Sequence, residues 1–268
     1  MAHDTTPQAR VAGGDATGIP IASGKSLLRP LKAAEVVARD VVRDITANRL
    51  APGDSLESEA EMLQKYGVSR ESLREGLRLL EVQGMINIRR GPGGGPSVGT
   101  VDPGNLGRVE ALFFHLAGAT YQELFQAWIL AETTLAGLAA ANEDADLRSE
   151  RMEPFLDRDA HRHEHQELAD FVEGHEGFHA AVAALSGNRV LELTFRAYGQ
   201  LVSHHVATVG DPRPIQDALV ETHLGIAEAI IRGYSDAAGQ LMREHLEEVI
   251  AINIEQLGDL VAGPVEWL

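Results

Sequence analysis

The chain has 268 residues, with 40 Asp and Glu against 23 Lys and Arg, so its formal net charge is −17. It contains no cysteine, which excludes a disulfide framework and a thiolate metal site and fits a reducing compartment. No apolar run is long enough to span a bilayer, and the first residues lack a signal-peptide core, so we expect a cytoplasmic protein without a membrane partner.

The first 26 residues are predicted to be a disordered tail. They are rich in Gly, Ala, Thr and Asp and show no periodicity. Hydrophobic residues then recur at helical spacing from Leu31 to Leu50 and stop before Pro52. This pattern predicts a first helix that ends at a turn.

Two short helices joined by a tight turn are predicted next. Ser58 and Glu61 form an S-x-x-E capping box, which starts a helix near residue 59. Gly67 supplies the positive φ that a tight interhelical turn needs, and Ser69 caps a second, longer helix. Together with the strand and the glycine-rich hairpin described below, this order predicts a winged helix-turn-helix.

The second of these helices carries an apolar stripe beside a basic stripe. Its leucines recur at i, i+4 and i+7 and its arginines at i, i+4 and i+8, and these residues are Leu73, Leu77 and Leu80, and Arg70, Arg74 and Arg78. A helix packed through one stripe can insert the other into a major groove, where guanidinium groups bind guanine or phosphate. The alternative is an ordinary amphipathic helix with a solvated face, which Glu71 and Glu75 favour because they would repel phosphates.

The segment that follows decides for nucleic-acid binding. Residues 85–88 alternate like a strand, and Arg89 and Arg90 precede the flexible turn GPGGGPS, which can approach a backbone closely. The charge distribution agrees. Residues 27–101 hold 11 Lys and Arg and 10 Asp and Glu, whereas the rest of the chain holds 12 and 30. Most of the acid therefore lies outside this unit, where it would keep DNA from the wrong face.

The run from Ala51 to Gly95 resembles the DNA-binding domain of GntR-type bacterial transcription regulators. The residues that carry the resemblance are Pro52-Gly53-Asp54, Leu56, Gly67-Val68-Ser69-Arg70, Leu73-Arg74-Glu75, Leu79-Leu80 and Gly84. The resemblance implies that Arg70 and Arg74 contact the operator and that Arg90 reaches the minor groove. The predicted DNA-binding residues are Ser69, Arg70, Ser72, Arg74, Arg78, Arg89, Arg90 and Gly91.

One position departs from the family pattern. Many relatives have an arginine after the Ser-Glu pair, where this chain has Ala60. Either the operator differs from the commonest family sequence at that point, or Arg78 or Arg89 compensates.

From residue 105 onward the pattern is helical and strand signals are absent. The predicted helices span residues 105–117, 121–141, 144–156, 160–186, 188–208, 213–232 and 235–258. The predicted fold is therefore mostly α, with a winged helix-turn-helix followed by an all-α bundle of six to seven helices. The predicted boundaries are 1–26 for the tail, 27–101 for the DNA-binding domain and 105–262 for a ligand-binding and dimerisation domain.

Four histidines on three of these helices could form a metal site. His175 and His179 lie at i and i+4, so both project from one face, and His223 and His245 lie inside two further apolar helices. Helical bundles build metal sites by pointing such side chains into a common core, and neutral imidazoles suit Zn²⁺ or Ni²⁺. Taken singly, each histidine is more simply a hydrogen-bonded core or surface residue.

The same segments look like the C-terminal domain of the FadR-like branch of the GntR family, the FCD domain. The resemblance lies in VEGHEGFHAAVAALSGNRVL, ETHLGIAEAI and DAAGQLMREHL. It implies that His179, His223 and His245 are metal ligands, joined in the family by an Asp at the position of His175. The change to histidine gives either a four-histidine site or a polar pocket that has lost its metal.

The resemblance also implies a small organic acid as effector. Relatives often carry an arginine four residues before the glutamate that matches Glu132, where this chain has Trp128. Trp128 suits a larger, more apolar metabolite, although it could simply pack in the core, and Arg189 or Arg196 could supply the charge. The predicted effector pocket consists of Trp128, Glu132, Asn188, Arg189 and Arg196.

Residues 175–179 also match H-E-x-x-H, the zinc-protease signature. The metzincin extension is absent, because Val182 and Leu185 stand where its Gly and third His would be. We therefore predict a ligand-responsive transcription regulator that binds a palindromic operator as a homodimer. By resemblance to the family, we expect it to repress a metabolic operon. The alternatives are a metal-dependent α-helical hydrolase and a metal sensor, both using the four histidines.

Overall fold

A computed structural model describes residues 30–267, apart from residue 92 and the segments 158–167 and 210–215, and gives only the backbone of residues 168–172, 204–209 and 216–218. The predicted disordered tail, residues 1–26, lies outside the described residues. The described chain is mostly helical, as predicted. No helix in the described ranges is long and apolar enough to cross a membrane.

The N-terminal part has the predicted order of a winged helix-turn-helix. Its elements are α1 (Ala33–Ala47), α2 (Glu59–Tyr66), α3 (Arg70–Val82), β1 (Ile86–Arg89) and β2 (Gly95–Val98). The two strands pair antiparallel, with Ile86 opposite Val98 and Arg89 opposite Gly95, and they form the wing.

Local chemistry fixes the helix-turn-helix as the sequence predicts. The Ser58 side chain accepts a hydrogen bond from the Glu61 backbone N–H, while the Glu61 carboxylate accepts one from Ser58 N–H, so the capping box is complete. Gly67 ends α2 with φ 63°, and the Ser69 hydroxyl accepts from Ser72 N–H to start α3.

The core of this part lies between α1 and α3. Leu73 and Leu77 are buried on α3 and pack with Val37 and Val41 of α1. The two helices approach so closely that a Cβ added at Gly76 would lie 2.8 Å from α1 atoms. This packing turns the basic stripe of α3 outward.

The remainder of the described chain is the predicted all-α bundle. Its α-helices are α4 (Pro103–Ala117), α5 (Tyr121–Ala140), α6 (Ala145–Met152), α7 (Leu168–Leu185), α8 (Arg189–Val209), α9 (Gln216–Ile231) and α10 (Ser235–Leu257). The predicted helix 144–156 is instead α6 followed by a 3₁₀ turn over Glu153–Leu156, because Pro154 has no N–H with which to continue an α-helix. The start of the predicted helix 160–186 lies outside the described residues.

Helix α5 is the centre of the bundle. It packs against α7, α8, α9 and α10, and it buries one continuous face along its whole length, from Tyr121 to Ala140. The C-terminal segment returns to the start of α5, where Val265 N–H donates to the Ala119 carbonyl and the Val265 side chain is fully buried. The bundle thus places three histidine-bearing helices (α7, α9 and α10) around α5.

Candidate DNA-binding surface and metal centre

The basic stripe of α3 faces solvent. The side chains of Arg70, Arg74 and Arg78 are between 64% and 68% exposed, whereas the leucines of the neighbouring stripe are buried. The guanidinium groups are therefore accessible to a nucleic acid without any rearrangement of the core. The arrangement has the form of a recognition helix held by its apolar face.

Two glutamates accompany these arginines. Glu59 of α2 accepts hydrogen bonds from Arg74 and lies 3.6 Å from Arg70 Nε, and Glu81 accepts one from Arg78 at 2.8 Å. Sequence reasoning missed Glu59, which is 15 residues from Arg74 and comes close only through the turn at Gly67. The two serines predicted at this surface, Ser69 and Ser72, form the helix cap and share a hydrogen bond between their hydroxyls.

The wing supplies further positive charge. Arg89 ends β1, and both Arg89 and Arg90 are exposed. Gly91 follows with φ 102°, a conformation that favours glycine and lets the hairpin turn sharply after the arginines. The wing thus presents two guanidinium groups beside a glycine-rich turn.

In the helical domain the four predicted histidines converge. His175 and His179 come from α7, His223 from α9 and His245 from α10. Each offers a ring nitrogen, and these four nitrogens all lie within 4.8 Å of one another. The Nε2 atoms of His223 and His245 are 3.2 Å apart. Two nitrogens at about 2.0–2.1 Å from a tetrahedral ion would lie roughly 3.3–3.4 Å apart, so small adjustments suffice to close such a site.

Neighbouring oxygens orient two of these rings. The Glu132 carboxylate lies 3.0 Å from His179 Nδ1, and the Thr222 hydroxyl lies 2.9 Å from His245 Nδ1. Hydrogen bonds at Nδ1 leave Nε2 directed into the cluster, which is how outer partners orient metal-binding histidines. Glu132 is 1% exposed, so its negative charge is held within the bundle beside the imidazoles.

Burial keeps key members of the cluster neutral. It lowers the pKa of His245 to about 3 and that of His175 well below the ordinary value, and repulsion from His179 adds to both shifts. Neutral imidazole is the form that binds metal. His179 Nε2 is buried and has no hydrogen-bond partner among the described residues. An all-nitrogen donor set that includes an unsatisfied buried nitrogen fits a borderline divalent ion such as Zn²⁺ or Ni²⁺.

A cavity adjoins the cluster between α5, α7 and α8. It measures about 340 Å³ including its opening to solvent, and His175 and His179 form part of its wall. Of the residues predicted for an effector pocket, Trp128, Glu132 and Arg196 line it. The structure does not bring Asn188 and Arg189 there. Both are exposed at the start of α8, where the Asn188 side chain accepts hydrogen bonds from the backbone of that helix.

The cavity wall is chemically mixed. The buried Trp128 indole N–H has no acceptor within the described part of the chain, and Arg196 brings a guanidinium group. Burial raises the pKa of Glu176, while Arg196 and hydrogen bonds from Gln200 and Ser203 oppose that shift. The cavity therefore offers donors, a cation and a carboxylate around a flat indole ring.

Four residues of this region escaped sequence reasoning: Gly199, Gln200, Ser203 and Thr222. A Cβ at Gly199 would lie 3.4 Å from Trp128 Nε1, so glycine lets α8 approach the indole. Helical spacing alone places Gly199 about one turn beyond Arg196 and Ser203 about one turn beyond Gly199, so all three share one face of α8. That spacing is the signal that could have found Gly199 and Ser203.

Two family models match the chain. The model "Bacterial regulatory proteins, gntR family" matches residues 33–94, which contain the helix-turn-helix and β1, and the model "FCD domain" matches residues 123–248, which contain all four histidines. The chain belongs to the GntR family and carries an FCD domain. It is therefore a DNA-binding transcription regulator and not an enzyme, and the hydrolase alternative drawn from H-E-x-x-H is wrong.

Known transcription regulators are similar to this chain over most of their length. The HTH-type transcriptional repressor NanR of Cronobacter sakazakii is 28% identical over 239 residues, which cover 86% of this chain and 90% of that protein. The Uxu operon transcriptional regulator of Escherichia coli K12 is 29% identical, with coverages of 85% and 88%. A solved structure described as Streptococcus agalactiae GntR shares the fold, with a TM-score of 0.59 at 22% identity over 81% of this chain and 98% of that chain.

Proposed function

We propose that this regulator is a homodimeric repressor whose helical domain binds a divalent metal and a small-molecule effector. The observation that carries the proposal is the pairing of exposed recognition arginines in one domain with a four-histidine cluster and an adjoining cavity in the other. We assign residues 27–101 to DNA binding and 105–262 to effector binding and dimerisation. The names of the relatives, a repressor and an operon regulator, support the regulatory role.

On the DNA side, we assign base reading to Arg70 and Arg74 at the exposed N-terminal half of α3. Arginine binds guanine O6 and N7 with two hydrogen bonds, and a recognition helix contacts base edges mainly through its N-terminal residues. We assign backbone contacts to Arg78 and Arg89, and the minor groove to Arg90 beside Gly91. Ser69 and Ser72 act through the helix cap and through hydroxyls near the phosphates.

In the helical domain, we assign the metal to His175, His179, His223 and His245. The unsatisfied His179 Nε2 and the neutral state of His175 and His245 support this assignment. A divalent ion, when bound there, would supply positive charge able to attract an effector oxygen. Glu132 holds the ring of His179 and supplies compensating negative charge from inside the bundle.

The effector class follows from the cavity wall. The indole N–H of Trp128 and the guanidinium of Arg196 are donors that an acid can satisfy, and Glu176 accepts hydrogen bonds from a hydroxyl group. The indole ring adds apolar surface that a purely polar acid would leave uncovered. We therefore propose an organic acid that carries both hydroxyl groups and an apolar or ring portion.

Dimerisation is assigned to an exposed apolar stripe on α4. The side chains of Leu106, Val109, Phe113 and Leu116 recur at i, i+3, i+7 and i+10 and are between 39% and 68% exposed. This is the spacing of a helix–helix seam, and a second copy of the same stripe gives a twofold interface of the kind that palindromic operators require.

The proposed mechanism is a shift between two arrangements of the dimer. An effector that binds one arrangement more tightly changes the fraction of dimers whose two DNA-binding domains match the spacing of the operator half-sites. The test uses an operator selected from random DNA and measures its affinity for metal-loaded and chelator-treated protein with a panel of carboxylic acids. If an acid changes the affinity of the protein for operator DNA by some factor, operator DNA must change the affinity of the protein for that acid by the same factor. Unequal factors would contradict the scheme. Operator affinity that follows metal concentration alone would make the protein a metal sensor.

A further inference from the structure

The first residue of α2 contacts the recognition helix. The Glu59 carboxylate lies 3.1 Å from Arg74 Nε through Oε1 and 3.3 Å from Arg74 Nη2 through Oε2, with Arg70 Nε 3.6 Å away. The backbone of Glu59 is fixed, because it directly follows the cap residue Ser58. The carboxylate thus stands at a set position beside the part of α3 that enters the groove.

The contact uses only one edge of the Arg74 guanidinium. This group has a side edge formed by Nε and Nη2 and an end edge formed by Nη1 and the second N–H of Nη2, and it carries five donors in all. Glu59 occupies the side edge. The end edge keeps two parallel N–H groups, which is the fork that matches O6 and N7 of guanine. A carboxylate on the side edge therefore orients arginine without competing for the base.

We propose that Glu59 is a specificity-determining residue, which positions Arg74 for guanine and discourages binding to other DNA. The inference rests on the proposed role of Arg74 in reading a base. Arginine has several rotatable bonds, and it otherwise samples phosphates and bases alike. Fixing its side edge removes that freedom before DNA arrives. Binding to the correct base is therefore favoured over binding to a phosphate.

The charge of Glu59 acts in the same direction. A carboxylate on the DNA-facing surface is repelled by every phosphate within a Debye length, whatever the sequence. Only a DNA site that places a guanine against the end edge of the oriented Arg74 guanidinium offsets this repulsion. Glu59 therefore lowers affinity for non-specific DNA more than affinity for the operator.

The experiment compares DNA selection by the full-length wild type and by variants. Selection from random DNA with Arg74→Ala identifies the base pair that Arg74 reads, because that position loses its preference. Glu59→Gln is then expected to relax the same position and to lower the ratio of operator to scrambled-DNA affinity roughly tenfold, within the range that one bidentate base contact provides. Affinity for scrambled DNA is expected to rise about twofold to fivefold as one charge is removed.

Two further variants separate orientation from charge. Glu59→Asp keeps the charge but shortens the side chain by one methylene, so the guanine preference falls while affinity for scrambled DNA stays unchanged. Glu71→Gln removes a charge from an exposed residue of α3 that forms no ion pair among the described residues. It is expected to raise affinity for all DNA equally and to leave the ratio as it was. The circular dichroism of each variant confirms that it is folded.

The outcomes are distinguishable. If Arg74→Ala relaxes one position and Glu59→Gln leaves that position selective, the inference is wrong and the proposed DNA surface stands. If Arg74→Ala relaxes no position, the assigned role of Arg74 fails and the inference fails with it. Coupling gives the final check, because Glu59→Gln should have no further effect on specificity in the Arg74→Ala background. Additive losses of specificity would overturn the positioning role.

Discussion

Replacing Glu132 with glutamine tests the metal centre at the point where its charge is balanced. The carboxylate is 1% exposed and lies 3.0 Å from His179 Nδ1, and glutamine keeps the shape and one acceptor oxygen. Only the negative charge is lost. Mutation of such an outer partner costs roughly 10–100-fold in metal affinity. We therefore expect Zn²⁺ to bind Glu132→Gln weaker by about 1.4–2.8 kcal/mol, since each factor of ten corresponds to about 1.4 kcal/mol.

The assay is a Zn²⁺ titration of chelator-stripped protein in competition with a chromophoric chelator. Three further variants are compared with Glu132→Gln. His179→Ala removes a ligand and is expected to abolish tight binding, whereas Glu228→Gln changes an exposed charge on α9 that pairs with Arg232 and should leave the affinity unchanged. Thr222→Val removes the hydroxyl at His245 Nδ1 and should weaken binding less than Glu132→Gln, because no charge is lost.

The melting temperature of the protein with and without metal gives a second test of Glu132→Gln. A buried carboxylate carries a desolvation cost that an amide avoids, so the variant without metal should melt no lower than the wild type. The metal-bound variant should melt lower than the metal-bound wild type, because weaker binding stabilises the folded state less. Equal Zn²⁺ affinities for wild type and Glu132→Gln would mean that Glu132 does not support the site.

Three other substitutions test the remaining assignments. Arg70→Ala should cost about 1–3 kcal/mol of operator affinity and relax one base preference, whereas uniform weakening across sequences would assign Arg70 to phosphate. Phe113→Asp, which places a charge in the α4 stripe, should shift the dimer to monomer in sedimentation, and an unchanged dimer would contradict the assignment. Leu130→Asp, at a similarly exposed residue of α5, is the control and should leave the dimer unchanged. Gly76→Ala should destabilise the DNA-binding domain by about 1–3 kcal/mol in denaturant unfolding, because its methyl group would lie 2.8 Å from α1, whereas Gly225→Ala in open space should not.

The parts of the fold that local chemistry determines were predictable from sequence. The capping box at Ser58 and the glycine at residue 67 predict α2 and the turn after it, and both are present. The histidines were predictable as a group because an i, i+4 pair and two further histidines occur inside apolar helices. What spacing could not predict is that four nitrogens from three helices come within 4.8 Å of one another, since this depends on how the helices pack.

Contacts between distant residues account for what the sequence missed. Glu59 meets Arg74 only because the turn folds α2 beside α3, and Gln200 and Ser203 meet Glu176 only because α7 packs along α8. Asn188 and Arg189 were predicted in the effector pocket, yet the chain leaves the bundle there to begin α8, so both remain exposed. Their positions follow from a helix cap, which resemblance to a family does not reveal.

The proposed regulator reads a specific operator through α3 and the wing. The most direct measurement is the affinity of the purified protein for DNA from upstream of its own coding region and for a scrambled fragment of equal length, each titrated with salt. We expect upstream DNA to bind roughly 10³-fold or more tightly than scrambled DNA at physiological salt, with an affinity that falls steeply as salt rises. Equal affinity for the upstream fragment, for scrambled DNA and for any sequence enriched from random DNA would contradict it.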